Sequence, residues 1–116
     1  MPITLYGIPN CDTVKKARAF LAERGDAVAF HDFKKAGVPP VQLDAWMKAA
    51  GWERLLNRQG TTWRKLDEAQ REATVDAASA RRLMLEQPSV IKRPVVEWSD
   101  GAVTVGFDAA AWAARR

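Results

Sequence analysis

Ile3-Thr4-Leu5-Tyr6-Gly7-Ile8-Pro9-Asn10-Cys11-Asp12-Thr13-Val14-Lys15-Lys16-Ala17 places an apolar run, a polar turn and the first turn of a helical pattern side by side. Ile3 to Tyr6 predicts a short strand. Val14, Ala17, Phe20 and Leu21 recur at helical spacing up to a stop at Gly25. Cys11, the one cysteine among 116 residues, therefore falls at a helix N-terminus. Open backbone N–H groups and the positive end of the helix dipole favour an anion there, and a thiolate is such an anion.

Working outward, Val28-Ala29-Phe30-His31-Asp32-Phe33 predicts a second strand, and a strand-helix-strand unit implies right-handed, parallel pairing. Lys34 to Pro40 reads as a Gly/Pro-marked connection. In Val41 to Ala50, Leu43, Trp46, Met47 and Ala50 form one apolar stripe on a helix. Gly51 stops it, Trp52 to Leu56 looks like a short further turn, and Asn57-Arg58-Gln59-Gly60-Thr61-Thr62 reads as a loop. Asp76 is placed to cap a helix with Ala80, Leu83 and Met84 facing inward, ended by Pro88. Val95 to Trp98 and Val103 to Phe107 flank Ser99-Asp100-Gly101-Ala102, where Asp-Gly favours a primed hairpin turn. Asp108 then caps a short Ala-rich helix containing Trp112. The order is β-α-β, a helical insertion over about residues 38–88, then β-β-α. It predicts one α/β domain over residues 1–116 with a mixed four-stranded sheet.

Composition narrows the function classes. Hydrophobic residues make up 47% and charged residues 28%, an ordinary globular balance. No apolar run is long enough to span a bilayer, and Met1-Pro2-Ile3-Thr4 lacks the charged and apolar regions of a signal peptide, so a cytoplasmic protein with no membrane partner is expected. A lone cysteine with a lone His31 builds neither an internal disulfide nor a zinc site, so no metal is expected. The net charge of +4 is spread over dispersed pairs such as Lys15-Lys16, Lys34-Lys35 and Arg81-Arg82, the pattern of solvated faces and not of a nucleic-acid-binding tail.

Two readings of Cys11 stand side by side. Helix N-termini and nearby cations lower a thiol's pKa, and Lys15, four residues on, is the candidate cation on the same helical face, with Asp12 acting against it. The other reading is a buried small hydrophobe, since free cysteine is among the most buried residue types. If the thiol reacts, resolution needs a thiol from outside the chain, and a small one such as glutathione is the natural choice. Lys92-Arg93-Pro94 offers a bidentate donor for a carboxylate or oxyanion beside a proline able to adopt a cis bond; the alternative is a surface charge before an edge strand. His31 reads as structural in preference to catalytic. The five tryptophans supply core area, except that Trp63, between Thr61-Thr62 and Arg64-Lys65, is suited to lining a cleft.

Tyr6 to Ala17, Phe30-His31-Asp32-Phe33, Leu55-Leu56-Asn57-Arg58, Gly60-Thr61-Thr62-Trp63-Arg64-Lys65-Leu66 and Ile91-Lys92-Arg93-Pro94 together resemble the arsenate reductase (ArsC)/Spx family, closest to its YffB-like branch. The resemblance covers nearly the whole chain. It implies a thioredoxin-like fold with a helical insertion and Cys11 as nucleophile. In the glutaredoxin-linked arsenate reductases of this family an arginine lies four residues after the cysteine, where this chain has Lys15. Three further arginines hold arsenate. One matches Arg93, with Pro94 cis by resemblance; one falls on Asn57, beside Arg58; the third falls near Gly106-Phe107, where no cation stands.

Each charge-assisted contact to a buried oxyanion contributes on the order of 1.5–3 kcal/mol, so two missing clamps move arsenate reduction to second place. The YffB-like branch implies a glutathione-dependent thiol reductase, which suits a lone cysteine. The site expected from this resemblance is Cys11 with Asn10, Asp12, Thr13, Lys15, Arg93 and Pro94 around the substrate, and Asn57, Arg58 and Arg64 further out. No tightly bound cofactor is expected; glutathione acts as co-substrate, glutaredoxin is the alternative partner, and the chain is a monomer. A third implication is a Spx-like, non-catalytic module contacting transcription machinery, although Val14 stands where such regulators carry the second cysteine of their Cys-x-x-Cys switch.

Overall fold

A five-residue strand that is apolar at most of its positions can bury both faces, and Ile3–Gly7 does so at the interior of a sheet. The computed structural model describes residues 2–115. In chain order the elements are β1 (Ile3–Gly7), α1 (Asp12–Glu23), β2 (Val28–Asp32), α2 (Phe33–Ala36), α3 (Pro40–Ala50), α4 (Trp52–Leu55), α5 (Thr61–Lys65), α6 (Glu68–Ala73), α7 (Ala77–Glu86), a 3-10 turn (Pro88–Val90), β3 (Val95–Glu97), β4 (Val103–Val105) and α8 (Ala109–Ala113). They fall into two compact units, Met1–Lys35 joined with Arg93–Arg116, and Ala36–Lys92. Among the described residues no helix is long and apolar enough to cross a membrane.

The first unit carries the expected mixed four-stranded sheet, in the order β2-β1-β3-β4. β1 and β2 are parallel with Tyr6 beside His31, while β1/β3 and β3/β4 are antiparallel, with Tyr6 beside Val95 and Val95 beside Val105. Period-two alternation sends Ile3, Leu5, Val96 and Trp98 into one core with Val14, Ala17 and Leu21 of α1 and Trp112 of α8. Gly7 is the point of closest approach between strand and helix. A Cβ there would lie 2.8 Å from the Val14 side chain, so β1 can pass under the start of α1 only as glycine. Trp112 closes the core from the carboxy-terminal side, meeting Phe107 (4.7 Å), Trp98 (5.0 Å) and Phe20 (6.0 Å) edge to face. Arg24 fastens the same corner: its Nη1 donates to the Trp112 carbonyl at 2.6 Å and its Nε to Asp26 at 2.8 Å.

The hairpin is present, but its turn is not the primed type that Asp-Gly suggests. The Gly101 N–H donates to the Trp98 carbonyl (2.9 Å), the Trp98 N–H donates to the Ala102 carbonyl (2.8 Å), and the only positive φ in the turn is that of Gly101, +89°. This is a three-residue connection in which Gly101 supplies the left-handed residue, while the Asp100 carboxylate accepts the Ala102 N–H at 3.0 Å.

The second unit is helical. Leu43 and Trp46 of α3 are fully buried, as are Ala80 and Met84 of α7, and Arg81 links the two helices to Asp44 at 2.6 Å. Asp76 caps α7 in a reciprocal box with Ser79. Two short helices, α2 and α5, replace expected strand or loop, and a third, α6, forms where the sequence was assigned no element. Phe33 opens α2 because the Asp32 carboxylate accepts the Lys34 N–H at 2.8 Å and turns the chain out of the sheet. Thr61 and Thr62, read as loop, start α5. Asp67 caps α6 through the Gln70 N–H at 2.7 Å.

Candidate active site around Cys11

Cys11 is the last residue before α1, with extended backbone (φ −93°, ψ 126°), and its carbonyl accepts the Lys15 N–H at 2.9 Å. Half-buried, it packs against the core that includes Leu5, Val14 and Val96. The sulfur thus takes the place where a Ser, Asp or Asn side chain would normally cap the helix. It closes no capping hydrogen bond of ordinary geometry. The Val14 and Thr13 N–H groups nonetheless point their field at it.

A second segment reaches the same spot because of strand register. β3 runs antiparallel to β1 with Val95 beside Tyr6, so the residues just before Val95 arrive at the end of β1 from which the Cys11 loop departs. Those residues are Arg93 and Pro94, joined by a cis peptide bond. Pro94 is buried, and its carbonyl accepts the Gly106 N–H at 2.9 Å, which fixes the bend. Arg93 is thereby set against the sulfur. Burial raises the Cys11 thiol's pKa, but the Val14 N–H, the hydrogen bond and charge of the Arg93 guanidinium, and the Thr13 N–H outweigh it, and the thiol is held below its ordinary value.

Asn10, Asp12 and Thr13 are exposed around the sulfur-bearing loop, and Lys15 is exposed on the first turn of α1. The cation acting on the sulfur is Arg93, just before a strand distant in sequence; the route to it is the β1/β3 register, which motif spacing does not display. Val14 acts through its backbone N–H, so its side chain gave no signal; Thr13, expected at the site, also acts through its backbone N–H. On the sheet, the Tyr6 hydroxyl donates to Glu97 Oε1 at 2.8 Å, and burial followed by the Glu97 hydrogen bond and charge push the phenol well above its ordinary pKa. His31 lies beside it, its ring tilted against Tyr6 at 5.0 Å and edge-on to Phe33 at 5.9 Å, which accounts for that histidine as a structural aromatic.

The remaining expected residues belong to the second unit. Asn57 is half-buried, donates its N–H to the Val90 carbonyl (2.8 Å) and accepts the Gln59 N–H on Oδ1 (3.1 Å). Gly60 is pressed against it, since a Cβ there would lie 2.8 Å from Asn57 Nδ2. The Arg58 guanidinium lies over the Trp52 ring at 5.4 Å. Arg64 is exposed on α5, with Trp63 half-buried beside it.

The thiolate is the reactive form, so alkylation of Cys11 should rise with pH about a midpoint below that of a free cysteine. Arg93→Ala removes both the hydrogen bond and the charge and should move this curve to higher pH; superimposed curves for the two proteins would show that the guanidinium does not act on the sulfur. Iodoacetamide labelling rates across pH provide the measurement.

Comparison with known proteins places this geometry. A protein named YffB, of known structure, is 53% identical with a TM-score of 0.90, over 97% of this chain and 96% of that one. An arsenate reductase (ArsC) related protein from Brucella melitensis is 55% identical with a TM-score of 0.76, over 99% and 94%. A protein of Haemophilus influenzae is 41% identical over 91% of each chain. These likenesses and the sheet order identify the fold as the thioredoxin-like one. A sequence profile of the ArsC family matches residues 6–115, and the chain belongs to the ArsC family.

Proposed function

We propose that this protein is a cytoplasmic thiol-redox enzyme, a glutathione-dependent thiol reductase that works through Cys11 alone. The observation that carries the reading is a half-buried thiol held below its ordinary pKa by helix N–H groups and Arg93, in a chain with no second cysteine. The Cys11 thiolate attacks one sulfur of a disulfide. That S–S bond breaks, the other sulfur leaves as a thiolate, and Cys11 is left in a mixed disulfide. Glutathione thiolate then displaces Cys11, which returns as the stabilised anion. Asn10, Asp12 and Thr13 shape the loop, Lys15 and Arg93 meet negative charge on the substrate, and Pro94 holds Arg93 in place. The test is oxidation of glutathione by a small disulfide, followed through a glutathione-reductase couple. Catalysed turnover above the uncatalysed exchange is expected, and a rate no faster than buffer would end the proposal.

One observation favours arsenate reduction as a second reading. A guanidinium beside a thiolate is the pair an oxyanion needs, and the Brucella melitensis relative is described as arsenate reductase related. Intact-mass measurement under saturating arsenate should then show an arsenic adduct on Cys11, and its absence would eliminate this reading.

A further inference from the structure

A cavity of about 360 Å³ opens within the first unit, at the end of the sheet opposite Cys11. Ile3, which starts β1, forms its floor with Trp98, just after β3, and Ala114, just after α8, whereas Cys11 follows the other end of β1. The volume falls within the range of roughly 300–1,000 Å³ usual for small-molecule sites. None of the residues assigned to the chemistry of Cys11 lines it.

Its walls carry charge of both signs. Gly25, at φ +78°, reverses the chain after α1, and Asp26 returns against Arg24. Arg24 donates from Nε to Asp26 Oδ2 at 2.8 Å and from Nη1 to the Trp112 carbonyl at 2.6 Å, which fixes a guanidinium whose side chain is only 18% exposed. Its Nη2 has no hydrogen-bond partner among the described residues. On the hairpin side, Arg115 lies over the Trp98 ring at 5.1 Å, with Nη1 3.6 Å from Asp100 Oδ2, an ion pair too long to be a hydrogen bond. The Arg115 guanidinium therefore keeps its donors for something else. Trp98 Nε1 donates to Thr104 Oγ1 at 2.8 Å, so the indole has its polar group satisfied and offers apolar surface to the cavity.

We propose that this cavity binds a free α-amino acid with a large apolar side chain. The carboxylate is held by Arg24 Nη2 and Arg115, the ammonium by Asp26 and Asp100, and the side chain lies on Ile3, Trp98 and Ala114. Charge balance decides the class of ligand. Two guanidinium groups alone would draw any carboxylate, but two aspartates share the cavity, and a simple anion meets repulsion along with attraction. A simple cation meets the same opposition from the arginines. A zwitterion gives each wall group an opposite charge, and hydrogen bonds between charged partners are the stronger kind. The floor selects the rest of the molecule, because a polar side chain lying on Ile3 and the indole would give up water and find no partner.

The test is a titration of the full-length protein with L-phenylalanine, followed by the amide signals of an NMR spectrum. Binding should saturate, with half-saturation at about 1 mM, and shift the Arg24, Ser99 and Ala114 amides and the Trp98 indole N–H while the Cys11 and Thr13 amides stay in place. Taking one charge from the probe, as 3-phenylpropionate and phenethylamine do, should weaken binding by about tenfold or more. Arg115→Gln should weaken L-phenylalanine binding to a similar degree with the urea midpoint unchanged, since an ion pair of this length and exposure adds little stability. No saturation up to about 10 mM overturns the proposal, as does saturation whose shifts lie away from the cavity. Equal affinity for 3-phenylpropionate and L-phenylalanine, or unchanged affinity in Arg115→Gln, also overturns it.

Discussion

Cys11→Ser is expected to lose glutathione-coupled disulfide reduction by about 1,000-fold or more, the loss typical of deleting a covalent nucleophile. A serine hydroxyl ionises far above neutral pH, so the helix amides and Arg93 that stabilise a thiolate have no anion to act on. No other cysteine in the chain can take over. The substitution also carries its own folding control. Cys11 stands at the N-cap of α1 and forms no ordinary capping bond, whereas serine is among the preferred N-cap residues, accepting from N–H groups of the first turn. The variant should therefore unfold at the same denaturant concentration as the wild type or a higher one while being inactive. Retained turnover in Cys11→Ser would remove Cys11 from the chemistry altogether.

Trp112→Ala should produce the largest loss of stability, about 3–5 kcal/mol by urea unfolding. Trp112 is 2% exposed, lies on a five-residue helix, and holds that helix to the core through three edge-to-face ring contacts. So short a helix has little stability of its own, and its order comes from the packed face. Removing the indole opens a large cavity among Phe20, Trp98 and Phe107 and also loosens the carbonyl that Arg24 grips. The expected loss is a large part of the roughly 5–15 kcal/mol that holds a domain of ordinary stability. A change below about 1 kcal/mol would mean that the neighbouring rings collapse into the space, and that α8 is not what closes this core.

The parts of the fold that the sequence displays are those where a local signal and a tertiary need coincide. Val14, Ala17 and Leu21 announce α1 by spacing and are all fully buried. Asp76 and Asp108 mark helix starts and do cap them. The short helices α2, α5 and α6 were hidden because four to six residues give too little length for a helical period, and no residue of α5 or α6 is buried to complete an apolar stripe. For α6 a trace was present, since Asp67 followed by Gln70 is a capping pattern. Asp-Gly in the hairpin foretold the turn but not its type, which depends on whether Asp100 itself adopts positive φ; it does not. At the site, the position of Cys11 was legible from the strand-to-helix switch. Which cation faces the sulfur was not, because Arg93 is delivered by antiparallel register, and register is decided by packing across the whole sheet.

That delivery has a consequence for the chain as it is made. Cys11 is synthesised well before Arg93, so the helix turn and the guanidinium that act on one sulfur are made at widely separated times. Closing so long a loop comes late in folding, after local helices have formed. Until β3 docks, Cys11 lacks the share of its lowered pKa that Arg93 contributes. The sharpened nucleophile exists only in the finished molecule, and the rate at which a thiol reagent labels it is a clock for the last step of assembly.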